Sequence, residues 1–153
     1  MAKKPEAPAS ADKTVADAVR KLSKKKLSED IVVPRQQIGA LLDFVRVLSE
    51  RTGVRTLTYG HAGDGNLHVN FLWNEDHEIP AVERAIVELF ERVIQLRGTL
   101  SGEHGIGVLK APYLPMEQSP DLIALQKDLK RVFDPAGLLN PGKIFPPSAH
   151  RAC

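Results

Sequence analysis

Apolar and polar residues alternate along the chain with two different periods, which predict both strands and helices. The period of two is clearest over residues 67–73, where the odd-numbered residues should face a core while His68 and Asn70 face the opposite side. The helical period recurs in three other stretches. Gly53 and Gly98 should end the first two helices, and Ser119 followed by Pro120 should begin the third. In chain order, the predicted elements are a strand over residues 31–33, a helix over 35–51, strands over 54–59 and 67–73, a helix over 80–97, a short strand over 99–101 and a helix over 120–133.

This order of elements predicts an α+β fold, with a small antiparallel sheet that carries helices packed on one face. Three strands would be arranged around one hairpin, and the outer strands would present unpaired edges. Exposed strand edges pair readily with another chain. We therefore expect either a homodimer or a partner subunit that completes the sheet.

The connection between the two central strands, residues 61–68, carries two histidines. Asp64 and Gly65 form a strong signal for a two-residue hairpin loop, because a type I′ turn needs a positive φ at both central positions. With that loop, His61 would pair directly with His68, and paired residues have Cβ atoms ~4.5–5.5 Å apart. The two imidazoles would then be close enough to share a metal ion. On spacing alone, a surface or structural histidine pair is the alternative interpretation.

A second cluster, Glu103-His104, supplies a carboxylate as the third metal ligand, which the hairpin lacks. Two histidines and one carboxylate form a three-ligand set that leaves positions open for water or substrate, the usual arrangement of a catalytic metal site. Adjacent residues on an irregular segment diverge, so that Glu103 can complete the metal shell while His104 faces a substrate. Glycines on both sides permit close backbone approach. An ordinary ion pair is the alternative role for Glu103.

Four short motifs that combine charged residues with glycine or proline follow one another along the chain. They are Ser28-Glu29-Asp30-Ile31-Val32-Val33-Pro34-Arg35, His61-x-Gly63-Asp64-Gly65-Asn66-x-His68, Glu103-His104-Gly105-Ile106-Gly107 and Asn140-Pro141-Gly142-Lys143. In this order they resemble the C-terminal region of FAD-linked oxidases, a group that includes glycolate oxidase, D-lactate dehydrogenase and D-2-hydroxyglutarate dehydrogenase. The resemblance runs from about residue 26 to residue 146, which is most of the chain.

The resemblance implies roles for individual residues of this sequence. The implied metal ligands, for a divalent ion such as zinc, are His61, His68 and Glu103; the general base is His104; Asn70 contacts the substrate; Asn140 and Lys143 lie near the flavin. The base would take the hydroxyl proton of a 2-hydroxy acid while a hydride passes to FAD. Taken on the residues alone, Asn70 could be a satisfied polar residue and residues 140–143 a simple Pro-Gly turn.

No segment of this sequence resembles the large FAD-binding domain that precedes the matching region in the family. The expected function is therefore that of the C-terminal substrate- and metal-site domain of an FAD-dependent 2-hydroxy-acid dehydrogenase of the glycolate or D-lactate oxidase type. FAD would come from a missing domain or a partner chain. Ser28 stands where some family members have a lysine, which argues against a dicarboxylate substrate. The alternative is an inactive truncated domain that acts at most as a metal-binding or interaction module.

Charge and cysteine content add expectations about the surroundings of the protein. The net charge is +2, but residues 1–26 are strongly basic and the remainder is slightly acidic. We expect a disordered basic tail over residues 1–26, a domain over 27–147 and a short tail over 148–153. A solvated linker explains the basic tail, so no nucleic-acid partner is expected. The single cysteine fits a reducing compartment, and no apolar run would span a membrane. We expect a cytoplasmic protein, or a mitochondrial one in a eukaryote.

Overall fold

The computed structural model describes residues 21–146, and it has the α+β architecture that the sequence predicts. Short 3₁₀ turns precede three of the helices. The predicted tails lie largely outside the described residues. The elements are β1 (Lys25–Val32), α1 (Ile38–Thr52), β2 (Arg55–His61), β3 (Asn66–Trp73), α2 (Ile79–Gln95), α3 (Leu114–Glu117) and α4 (Pro120–Phe133).

The three strands form one antiparallel sheet in the order β1-β3-β2, so that β3 is the central strand. Strand β1 is longer than the predicted residues 31–33 and begins at Lys25, before the predicted domain boundary at residue 27. Its partner β3 aligns Asp30 with His68 across the ladder. The predicted strand over residues 99–101 is reduced to a single bridge between Thr99 and Val32.

The core lies between one face of the sheet and helices α1 and α2. The odd-numbered residues of β3 face this core as predicted, and Val69 and Phe71 are completely buried. Helix α2 adds a wide apolar face to the same cluster, with Val82, Ala85, Ile86, Leu89, Phe90 and Val93 buried. Within residues 21–146, none of the helices combines enough length and apolar content to cross a membrane.

Two of the predicted helix signals are confirmed, those at Gly53 and Ser119. The third differs, because α2 ends at Gln95 and the left-handed residue that follows it is Arg97 rather than the predicted Gly98. Gly53 adopts a left-handed conformation with φ of 72° after α1, and its N–H donates to the carbonyl of Ser49. The hydroxyl of Ser119 accepts a hydrogen bond from the N–H of Leu122 at the start of α4. These caps fix where α1 ends and where α4 begins.

The predicted register of the hairpin is wrong. His61 pairs with Asn66, and His68 lies opposite Tyr59, so the loop has four residues rather than two. Gly65 alone in the loop has a positive φ, of 80°, whereas a type I′ turn would need one at Asp64 as well. Asp64 is a turn residue: its carboxylate accepts the N–H of Asn66 at 3.1 Å. Because the register shifts by two residues, both histidines stay on one face, as diagonal instead of direct neighbours.

Candidate functional site

The polar face of the sheet is covered by the segment that follows α2, residues 101–110, here called the site loop. Gly102 packs so closely that a Cβ on it would lie 2.6 Å from the side-chain oxygen of Asn66. Farther along, the ring of His104 stacks on that of His68, with ring centroids 5.2 Å apart and an interplanar angle of 13°. His68 is therefore only 8% exposed, although it faces away from the hydrophobic core.

The three predicted metal ligands come together at this surface. One ligand atom each from His61, His68 and Glu103 lie within 4.8 Å of one another. The Nε2 atom of His68 is 3.3 Å from a carboxylate oxygen of Glu103, and the centroids of the two histidine rings are 5.8 Å apart. Ligand atoms around one tetrahedral zinc lie roughly 3.4 Å apart, since each zinc bond is ~2.0–2.2 Å long. Side-chain movements of about 1 Å would therefore close this set around an ion.

Asp30, a residue to which sequence analysis gave no separate role, anchors the site loop. Its Oδ2 atom accepts the backbone N–H groups of Gly102, Glu103 and His104, each at 2.9 Å. Burial opposes ionisation of this carboxyl, but the three N–H groups and the nearby ammonium of Lys110 outweigh it and hold its pKa below the usual 3.8. The sequence does contain one signal for this role: Asp30 comes directly before an apolar run, which indicates a buried carboxylate that needs hydrogen-bond donors.

The second oxygen of Asp30 faces the central histidine. Its Oδ1 atom lies 3.8 Å from Nδ1 of His68. Neither atom has a hydrogen-bond partner among the described residues, and both are buried. Asp30, His68 and His104 thus form a second group whose ligand atoms lie within 4.8 Å of one another. His68 belongs to both groups, with one ring nitrogen facing each.

A buried lysine fixes the base of the site loop. The ammonium of Lys110 donates to the carbonyl oxygens of Asp30 and Leu100, both at 2.6 Å, and lies 3.6 Å from a carboxylate oxygen of Glu29. Burial raises the pKa of Glu29 and lowers the pKa of Lys110, since each loses hydration, while the attraction between them opposes both shifts. Lys110 therefore joins the two ends of the site loop to β1. Sequence analysis did not identify this pair.

The remaining predicted site residues lie in different environments. Asn70 is completely buried, and its amide donates to the carbonyls of Leu57 and His68 at 3.2 Å, which leaves its own oxygen without a partner among the described residues. Asn140 and Lys143 are exposed in the turn after α4. The N–H of Ile144 donates to the carbonyl of Gly107 at 2.7 Å, which ties this turn to the site loop.

A cleft of about 280 Å³ opens beside His104. One wall consists of β1 residues, including Ser28 and Glu29, and the other is the glycine-rich part of the site loop, from His104 to Lys110. The His104 side chain is 58% exposed, so its ring is accessible at the rim of the cleft. The arrangement places a candidate base, a candidate metal-ligand set and a cleft for a small molecule side by side.

Comparison with known proteins gives the family of the chain. Residues 5–144 match the family described as FAD linked oxidases, C-terminal domain. The chain is 40% identical over 144 residues to the glycolate oxidase subunit GlcD of Bacillus subtilis, with 92% of this chain and 30% of that protein aligned. It is 35% identical over 116 residues to the mitochondrial D-lactate dehydrogenase (cytochrome) of Kluyveromyces lactis, with 76% and 20% aligned.

A third relative is the D-2-hydroxyglutarate dehydrogenase of Stutzerimonas stutzeri, 43% identical over 91 residues, with 57% of this chain and 20% of that protein aligned. The chain thus spans 20–30% of the length of these curated relatives. The resemblance stated from the four motifs is confirmed. Because the family match extends over most of its length, the chain belongs to the family of FAD linked oxidases, C-terminal domain.

Proposed function

We propose that this chain is the substrate- and metal-site domain of an FAD-dependent 2-hydroxy-acid dehydrogenase of the glycolate or D-lactate oxidase type. The observation that carries the proposal is the convergence of His61, His68 and Glu103 beside His104 at the rim of a cleft. Relatives whose names specify oxidation of glycolate, D-lactate and D-2-hydroxyglutarate support the class of substrate. The FAD of the reaction would come from a domain or chain other than the one described here.

The donor set fits a divalent cation, for which zinc is the proposed occupant. Two imidazole nitrogens and one carboxylate oxygen are typical zinc ligands, and three protein ligands leave room for a substrate oxygen. Such an ion supplies Lewis acidity, which makes the hydroxyl of a bound 2-hydroxy acid easier to deprotonate. The exposure of His61 and Glu103 keeps the open side of the set accessible from the surface.

His104 is the proposed general base. Imidazole is the side chain that most often takes a proton near neutral pH, and Nε2 of His104 lies 3.9 Å from the Glu103 carboxylate. Stacking on the buried ring of His68 restricts how the His104 ring can turn. In the proposed reaction His104 accepts the hydroxyl proton as the hydride leaves the α-carbon for FAD.

Three further residues complete the proposed site. Asn70 would offer its unpaired side-chain oxygen to a substrate donor, since that oxygen lies on the same face as His68. Asn140 and Lys143 would contact the flavin, which is supported by their exposure and by the link between their turn and the site loop.

We propose a flavin-bearing subunit or a second copy of this chain as the partner. Helix α4 has no buried residue, and most of its apolar side chains are solvent-exposed, with Phe133 82% exposed. Contiguous apolar surface of this kind is typical of an interaction site. Strand β2 also lies at an edge of the sheet, where a strand can pair with another chain. A cytoplasmic location, or a mitochondrial one in a eukaryote, is likewise proposed; cell fractionation would test it.

The test of this function begins with the metal. We expect the purified chain to bind one zinc, and His61→Ala, His68→Ala and Glu103→Ala to lose it, as measured by bound-metal analysis after dialysis. His104→Ala should keep the metal, but after reconstitution with a flavin-bearing partner it should slow flavin reduction by about 10²–10⁴-fold. His77→Ala is the matched control, since His77 is an exposed histidine outside the site. Equal metal content and equal turnover in all variants would contradict the proposal.

A further inference from the structure

We propose that Asp30 is a positioning residue that orients two of the three proposed metal ligands. One of its carboxylate oxygens orients Glu103, and the other orients His68. The inference deepens the proposed function and rests on its metal site. Asp30 itself is completely buried in β1, opposite His68 in the sheet. A single carboxylate would thereby fix the geometry of a site whose ligands come from three separate segments.

The first oxygen sets the conformation of the site loop. Three consecutive N–H groups, from Gly102 to His104, converge on Oδ2 at 2.9 Å. Such hydrogen bonds to an ionised acceptor are about twice as strong as neutral ones. They also determine the direction of the backbone at Glu103, and therefore where its side chain begins. Without this anchor, no regular secondary structure would hold residues 101–104, since they lie outside every helix and strand.

The second oxygen sets the proton position on His68. Oδ1 of Asp30 and Nδ1 of His68 are buried, unpaired among the described residues and 3.8 Å apart. A movement of about 1 Å brings them to hydrogen-bond distance. A carboxylate only accepts, so Nδ1 must carry the proton, and Nε2 then keeps its lone pair on the side of Glu103. This is the tautomer that a metal at the ligand set requires.

Asp30 could instead be a direct ligand, as part of the group that it forms with His68 and His104. Two observations favour the positioning role. Its Oδ2 atom is already occupied by three N–H groups, and its Oδ1 atom faces the ring nitrogen of His68 that points away from Glu103. The carboxylate of Asp30 is also completely buried, whereas His61 and Glu103 are exposed.

Substitution of Asp30 by asparagine separates the two roles. The amide oxygen can still accept the three N–H groups, but the amide nitrogen is a donor and would turn His68 into the tautomer that carries its proton on Nε2. Asp30→Asn should therefore preserve slow amide exchange at residues 102–104 but weaken zinc binding by about 10–100-fold. Asp30→Ala should weaken zinc binding at least as much and accelerate amide exchange at residues 102–104 as well.

The measurements are zinc titration with a competing chelator, amide hydrogen exchange, and ¹⁵N chemical shifts of the His68 ring in the metal-free chain. The matched control is Glu78→Gln, the same acid-to-amide change at a carboxylate that accepts two backbone N–H groups outside the site loop. Zinc affinity in this control should stay within about twofold of the wild-type value, because only groups that contact the metal ligands orient them.

Three results would overturn the proposal. The first is wild-type zinc affinity in folded Asp30→Asn, and the second is a His68 tautomer that does not change in that variant. The third is complete loss of zinc in Asp30→Asn while His61→Ala keeps it, which would make Asp30 a ligand. If the wild-type chain binds no zinc, the metal proposal above fails by itself, and the ring shifts and amide exchange in the metal-free chain still decide whether Asp30 orients Glu103 and His68.

Discussion

Removal of the buried ammonium of Lys110, at the base of the site loop, should be one of the single changes that most reduce the stability of the domain. In Lys110→Met the aliphatic part of the side chain is approximately conserved, but two carbonyl oxygens, on Asp30 and Leu100, lose their 2.6 Å partner. The carboxylate of Glu29 loses its counter-charge, 3.6 Å away, in a position that is only 4% exposed. Protonation of Glu29 limits the loss, because burial already raises its pKa.

The size of the effect follows from these contacts. Breaking a buried ion pair from one side costs about 3–5 kcal/mol, because the remaining charge is left without compensation. The whole domain is expected to be stable by only about 5–15 kcal/mol. With a urea m-value of about 1.5 kcal/mol/M, the midpoint of unfolding should fall by about 2 M or more. The site loop should open before the rest of the domain, since both of its ends are tied to β1 through Lys110.

The assay is urea unfolding followed by circular dichroism, with Lys26→Met as the control at an exposed lysine of β1. Glu29→Gln and the double variant Glu29→Gln/Lys110→Met complete a double-mutant cycle. We expect the double variant to cost clearly less than the two single costs added together, because removal of both charges leaves no buried charge unpaired. A cost below about 1 kcal/mol for Lys110→Met, or additive single costs, would refute the structural argument.

Three further predictions concern stability. Gly65→Ala should lower the free energy of unfolding in urea by more than about 2 kcal/mol, because φ is 80° and the new Cβ would lie 2.0 Å from the carbonyl oxygen of Val33. The control is Gly63→Ala in the same loop, which has open space around the new Cβ and should be neutral. Ser119→Ala should cost about 1 kcal/mol by loss of the α4 cap. The Lys130 ammonium and two N–H groups lower the pKa of Asp134 in the folded chain. The ionised carboxylate therefore contributes to the free energy of unfolding at pH values above the usual pKa of 3.8, and this contribution disappears as pH falls through the lower folded-state pKa. Urea unfolding measured against pH should show this loss in the wild-type chain but not in Asp134→Asn.

The parts of the fold that sequence analysis predicted correctly depend on local signals. The apolar periodicity placed three helices within a few residues of their observed bounds. Helices α1 and α2 bury their apolar face in the core, whereas α4 has the same periodicity without a buried residue. Ser119 before a proline fixed the start of α4, and Gly53 fixed the end of α1. The hydrophobic alternation of β3 predicted which residues face the core, and its even-numbered residues include the central histidine of the candidate site.

The errors and omissions arise from contacts that are distant in sequence. The hairpin adopts a four-residue loop because Gly65 docks on the end of β1, where its carbonyl accepts the N–H of Val33 at 3.1 Å. Strand β1 extends back to Lys25 through residues with no apolar alternation, because β3 supplies a continuous partner along that whole length. Asp30 and Lys110 act on segments 70 to 80 residues away, so no local pattern indicates their roles.

These long-range contacts also determine which part of the proposed chemistry this chain can perform alone. The candidate metal ligands, the carboxylate that orients them and the lysine that closes the site loop all lie within residues 21–146. We therefore expect the folded chain to bind a metal ion without a partner. Flavin reduction is different, because only the exposed turn of Asn140 and Lys143 is proposed to contact FAD. A chain that binds zinc tightly but turns over only with a flavin-bearing partner is the outcome that this division of the site predicts.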